Sequence, residues 1–213
     1  EEERMRTVPL IAEVIEQISI GLPLIYETLA SNRDKHDEYH IIDNTIASVI
    51  LFVILTMSDC MAASKYFLLA DSDYDRRFLR GKMMVILNEG FKRLYGFDAK
   101  TQKKSEWNRL KPLMQHFPAV IQRQYEELTQ RLDEHSKSSS WWRDERNLET
   151  HLDAEKLYQS RKEEVIESKV MIDNMKLYNT LLAANHFLTN VHACLLNSLI
   201  KKYKQGELSI ESE

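Results

Sequence analysis

Between Ala119 and Gln205 the chain has neither glycine nor proline, and all 213 residues contain only five glycines and four prolines. A strand-and-turn architecture needs frequent reversals built from these residues, so their scarcity excludes it and predicts long uninterrupted helices. Cysteine is as sparse. Cys60 and Cys194 stand alone in apolar helical patterns, which rules out a disulfide framework or a CxxC site and leaves two small buried hydrophobes. The phosphate-loop, dinucleotide, serine-hydrolase and HExxH templates are all missing. The first ten residues, EEERMRTVPL, lack the basic-then-apolar order of a signal peptide, so the expectation is an intracellular, cytoplasmic protein.

One apolar run stands out, IASVILFVILTM at residues 46–57, and its twelve residues fall short of the roughly 20 that a spanning helix needs. The reading is a central core helix, with no membrane partner. Asp59 follows two residues after the run, and is expected on a buried or half-buried helix, either paired with Lys, Arg or a hydroxyl from a neighbour or serving as a catalytic acid.

What is present is enough apolar material, 43% of residues, for one core. The spacing of apolar positions predicts an all-α bundle of about five or six helices in a single domain over 1–213, ending in a long C-terminal helix. A first helix over 6–30, with Val14, Ile18, Leu22, Ile25 and Leu29 on one face, is kinked at Gly21 and Pro23. The core helix covers 41–69, and DSDYD at 71–75 is a turn and cap. A third helix runs over 76–95 and stops at Gly96. Residues 97–107 read as a charged linker, and a fourth helix extends from Pro118 to about His135. SKSSS at 136–140 is a flexible break. The last helix spans 163–203, with Ile166, Val170, Leu177, Leu181, Ala184, Leu188, Val191, Leu195 and Leu199 on one face. At about 1.5 Å per residue it is on the order of 60 Å long, enough to project from its own core or to pack on a second copy.

Charge is unevenly distributed. Residues 76–111 carry +8 and the remainder −12. The basic window, with Arg76, Arg77 and Arg80 at its start, fits a phosphate-binding surface, or ordinary cations facing acids on neighbouring helices.

The stretch WWRDERNLETHLDAE, residues 141–155, gathers Arg146, Asn147 and His151 among two tryptophans and many charges. This pattern suits phosphodiester chemistry. An Arg fork holds a phosphate and offsets charge developing on its oxygens. A His titrating near neutrality moves a proton on or off an attacking or leaving oxygen. On one helix positions 146 and 151 are about 140° apart, so a single motif does not converge. Two copies meeting across a symmetric interface would complete a cleft. Arg143, Tyr158 and Arg161 flank the motif and would add cations and a stacking face to an RNA cleft. Glu149, His151, Asp153 and Glu155 alternate, but they scatter on a helix, so no metal site and no cofactor is expected.

The order Arg, polar residue, three residues, His, ahead of a long helix in an all-α chain, resembles the HEPN (higher eukaryotes and prokaryotes nucleotide-binding) superfamily. The resemblance implies a dimeric helical bundle and metal-independent endoribonuclease activity of the kind found in toxin–antitoxin, phage-defence and RNA-processing systems. It implies Arg146 as the phosphate-contacting cation, Asn147 as a supporting polar residue, His151 as acid or base, and RNA or a protein partner such as an antitoxin as ligands. Glu149 departs from the pattern, standing where many members have an apolar residue. The reading from another class is a non-catalytic helical interaction or scaffold protein acting through the long C-terminal helix. In that reading the two tryptophans pack a loop, Asn147 caps a helix and Arg146 pairs with Glu145 or Glu149.

Overall fold

In the computed structural model, which describes residues 2–138, Trp142 and residues 163–204, every regular element is helical. The chain forms an all-α bundle with a long C-terminal helix. α1 (Glu2–Ser19) and α2 (Leu22–Ser31) are separated at Ile20 and Gly21, with Pro23 in the first turn of α2, as the expected kink requires. α3 (Glu38–Leu69) opens on Asp37, whose carboxylate accepts the His40 backbone N–H at 3.2 Å.

α3 is the axis of the bundle, packing against α1, α2, α4 and the last helix. Ile46, Ile50, Val53, Ile54 and Met57 are buried along it at helical spacing. Each such side chain contributes roughly 1.5–3 kcal/mol by leaving water. The helix is long and apolar enough to cross a membrane, as is the span Arg6–Ser31. The two differ in surroundings: 61% of the apolar window of α3 lies inside the protein, against 6% for the earlier span.

α4 (Asp73–Val85) begins at Ser72, which accepts the Asp75 N–H at 3.0 Å. It runs through a π-turn (Ile86–Gly90) into α5 (Phe91–Leu94). At Gly90 a Cβ would stand 2.9 Å from the Thr56 methyl, so glycine lets the π-turn approach α3. Gly96 ends this helical stretch at φ +92°, where an added Cβ would also meet the Gln102 backbone at 2.5 Å.

The segment expected to be a charged linker is folded. α6 (Ala99–Lys103) is opened by a capping box between Asp98 and Thr101, α7 (Glu106–Leu110) by Ser105, and a 3-10 turn (Lys111–His116) follows. Caps and the burial of Trp107 and Leu110 outweigh the local polarity. α8 (Ala119–Ser138) starts after Pro118 and continues through the first residues of the expected flexible break, where the Ser136 hydroxyl donates to the Gly96 carbonyl at 3.3 Å.

The last helix, α9 (Glu163–Lys204), is 42 residues, about 63 Å, and runs antiparallel to α3. Leu177, Leu181, Ala184, Leu188 and Val191 are all buried on the predicted face. Polar contacts stitch the two helices at separate levels. Asn174 donates to the Cys60 carbonyl at 2.9 Å and the Ser64 hydroxyl at 2.8 Å, while His192 meets Asp43 at 2.8 Å.

Candidate functional site

Arg143, Arg146, Asn147, His151, Tyr158 and Arg161 lie outside the described residues, so the predicted motif has no geometry here. Its doorstep does. Trp142, four residues before Arg146 in the chain, is 1% exposed, and its indole N–H donates to the Asp173 carboxylate on α9 at 2.8 Å. The ring stands edge-on to Phe91 at 5.9 Å, to Phe97 at 6.4 Å and to His135 at 5.0 Å. Asp173 also receives Lys176 at 3.5 Å. Burial holds the His135 imidazole below its ordinary pKa, against the opposing pull of Asp173, with Lys176 lowering it further. This corner therefore joins the end of α8, the turn after α5 and the first half of α9 around one tryptophan.

Phe97 leads directly into α6, where Lys100, Lys103 and the C-cap Lys104, together the lysines of α6, are exposed and carry no ion pair among the described residues. Other cations of the basic window are engaged. Glu106 accepts Arg93 at 3.3 Å and Arg109 at 2.7 Å, Arg93 lies over the Phe52 ring at 4.9 Å, and Lys92 pairs with Glu89 at 3.7 Å. Arg76 is half-buried and donates to the Ala70 carbonyl at 3.4 Å; Arg77 is half-buried as well. Arg80 is 5% exposed on the inner face of α4, so its guanidinium is withdrawn from the surface where a phosphate would pass. The window narrows to the lysines of α6 and to exposed Lys111 just beyond it.

Beside α6 a cleft of about 670 Å³ opens between α7, the 3-10 turn and α8. Gln102, Asn108, Lys111 and Gln122 line it with amide and ammonium donors. Trp107 and Tyr125, stacked at 5.2 Å and 8°, form part of its wall. Trp107 donates to the Thr129 hydroxyl at 2.9 Å, and the Tyr95 hydroxyl donates to Asp133 at 2.6 Å. Burial and that carboxylate both raise the Tyr95 phenol, and burial pushes the Tyr125 phenol up to about 12, so neither supplies an anion near neutral pH.

A second polar constellation went unpredicted. Asp43 on α3 is 5% exposed, with one carboxylate oxygen at 2.8 Å from His192 Nε2 and the other accepting Asn32 Nδ2 at 2.7 Å. The expectation for Asp59 is corrected by the same helix. Asp59 lies on the solvent side with Leu55 and Tyr66, and partial desolvation raises its pKa. The signal was available in the spacing. Asp43 precedes Ile46, Ile50, Ile54 and Met57 by three, seven, eleven and fourteen residues and so belongs to the inner face, whereas Asp59 does not.

Burial pushes the Cys60 thiol up to about 12, so it stays protonated and inert, and Cys194 is half-buried. Among the described residues no three His, Cys, Asp or Glu side chains are grouped to hold a metal ion. No protein-family model matches the chain, and no curated protein or solved structure shows significant similarity to it.

Proposed function

We propose that this is an RNA-cleaving helical protein of the HEPN type, in which Arg146 and His151 carry a metal-independent endoribonuclease reaction. His151 takes the proton of the 2′-hydroxyl as that oxygen attacks the adjacent phosphorus, Arg146 offsets the charge gathering on the phosphate oxygens, and the P–O5′ bond breaks as the 5′-oxygen takes a proton from water, leaving a 2′,3′-cyclic phosphate and a 5′-hydroxyl. Asn147 supports the pair, and a second copy supplies the facing half of the cleft. The observation that carries the reading is the Trp142 anchor. Trp142, the second residue of the motif-bearing stretch, is packed on Phe97, which leads straight into the exposed lysines of α6. Exposed cations close to Trp142 are what an RNA track leading to this motif would need, because phosphate contacts supply most of the affinity. The test is cleavage of a mixed RNA pool in EDTA by the parent and by Arg146→Ala and His151→Ala variants of unchanged helicity. Loss in both variants supports the reading, and equal cleavage by all three sinks it.

A second reading, a non-catalytic interaction protein, has its own observation. α9 leaves Ile172, Met175, Leu196 and Ile200 exposed along its length, the pattern of a helix that seats against another chain. Under that reading the parent leaves RNA intact while association depends on Leu196 and Ile200.

A further inference from the structure

Where α5 and α7 meet the outer side of α3 there is a pocket of about 310 Å³. Its floor is a stripe of α3. Ser48, Phe52 and Leu55 follow one another at steps of four and three and so share a face, with Leu51 beside them. Leu55 is 42% exposed and Leu51 and Phe52 are half-buried, so the floor is apolar surface that no neighbouring helix fully covers.

Arg93 from α5, with Glu106 and Arg109 from α7, supplies every charge that lines the pocket among the described residues. Glu106 is 12% exposed at its side chain and accepts both cations, Arg93 Nε at 3.3 Å and Arg109 Nη1 at 2.7 Å. Two guanidiniums and one carboxylate leave the lining with a net charge of +1. Each planar fork carries several N–H donors, and the bonds to Glu106 use one nitrogen of each. The Phe52 ring, 4.9 Å from the Arg93 guanidinium, holds that fork against the floor. Ser48 is half-buried, and its hydroxyl makes no hydrogen bond among the described residues. Spare donors therefore stand beside an apolar floor.

That combination selects the ligand. A carboxylate matches forks that already hold Glu106 in this way, and it accepts from a hydroxyl as readily. A cation is repelled, and a neutral apolar molecule leaves the forks unused. A nucleic-acid backbone supplies an anion but sets ribose, not hydrocarbon, on Leu51, Phe52 and Leu55. The volume lies at the low end for small-molecule sites, and from Ser48 to Leu55 the helix rises about 10 Å, the reach of one short acyl chain.

We propose that this pocket binds a small acyl acid of about five to eight carbons, its carboxylate on the open donors of Arg93 and Arg109 and its tail on Leu51, Phe52 and Leu55. The inference is independent of the RNA reading, which uses none of these residues. The probe is hexanoate, titrated into the full chain carrying carbon-13 at its leucine methyls. Hexanol, hexylamine, inorganic phosphate and a blocked peptide with two C-terminal leucines are the comparisons.

Hexanoate is expected to shift the methyls of Leu51 and Leu55 saturably and to bind roughly tenfold more tightly than hexanol or hexylamine. Arg93→Gln and Arg109→Gln, both at exposed side chains, should each weaken hexanoate about fivefold while leaving hexanol and the helicity unchanged. Glu106→Gln removes the competing carboxylate and should tighten hexanoate, which a purely structural role for the two arginines would not do. No saturable shift, shifts confined to other leucines, equal affinity for hexanoate and hexanol, or weaker binding in a fully helical Glu106→Gln would overturn the proposal. Phosphate displacing hexanoate at equal concentration would assign the arginines to phosphate and overturn it. Tighter binding of the peptide would assign the pocket to the chain end of a protein partner and overturn it equally.

Discussion

Trp142 and Asp173 are joined by a 2.8 Å hydrogen bond between a buried indole N–H and a buried carboxylate, fixing the chain to α9 four residues before Arg146. Trp142→Phe keeps most of the ring contacts but removes the donor, leaving Asp173 with less compensation for its burial. It should cost about 1–3 kcal/mol in urea unfolding. A midpoint unchanged from the parent would show that the bond contributes nothing to the anchor.

Asp43 and His192 connect α3 to α9 with the Asp43 side chain 7% exposed and the His192 side chain 26% exposed. His192→Ala leaves a buried carboxylate with Asn32 as its remaining partner, and a loss of about 2–3 kcal/mol is expected. A double-mutant cycle with Asp43→Asn should return a coupling of about 1–3 kcal/mol. Additive losses would contradict a direct pair.

Burial lowers the pKa of His135 in the folded protein from its ordinary 6.5, ahead of the influences of Asp173 and Lys176. Below that ordinary value the unfolded chain takes up a proton that the folded chain refuses. Stability present at pH 7 is therefore lost as the pH falls past 6.5 toward the folded-state value. Urea midpoints at pH 7 and pH 5 should separate less in His135→Phe than in the parent. Equal separation would mean that other groups set the pH dependence.

The three exposed lysines of α6 are expected to carry RNA affinity without sequence preference. Replacing Lys100, Lys103 and Lys104 by glutamine should weaken single-stranded RNA binding and flatten its salt dependence, by about 0.7 in log–log slope for each phosphate that no longer meets an ammonium. A slope equal to the parent's would remove α6 from the track.

Helices with strong periodicity are readable from the sequence alone. α9 is helical throughout its described length, Glu163–Lys204, and buries Leu177, Leu181, Ala184, Leu188 and Val191 of the expected face, because no glycine or proline interrupts it and its apolar positions fall at steps of three and four. The region after Gly96 reads as linker because α6 and α7 are five residues each, too short for a period, and are specified instead by the caps Asp98 and Ser105. Arg80 reads as surface because composition registers a cation and not the helix face on which it sits. The pairing of His192 with Asp43 joins residues 149 positions apart, which no local pattern encodes. Of the candidate site, the motif Arg146, Asn147 and His151 is legible only in the sequence, while its anchor, Trp142 on Asp173, is visible only in three dimensions.

The central claim is that His151 directs a 2′-hydroxyl against its neighbouring phosphate. The most direct measurement is analysis of the RNA ends after incubation with the parent protein in EDTA. New 2′,3′-cyclic phosphate or 3′-phosphate ends with matching 5′-hydroxyls are expected, absent with His151→Ala and Arg146→Ala. Intact RNA with the parent, or the same ends in equal yield from all three proteins, would contradict it.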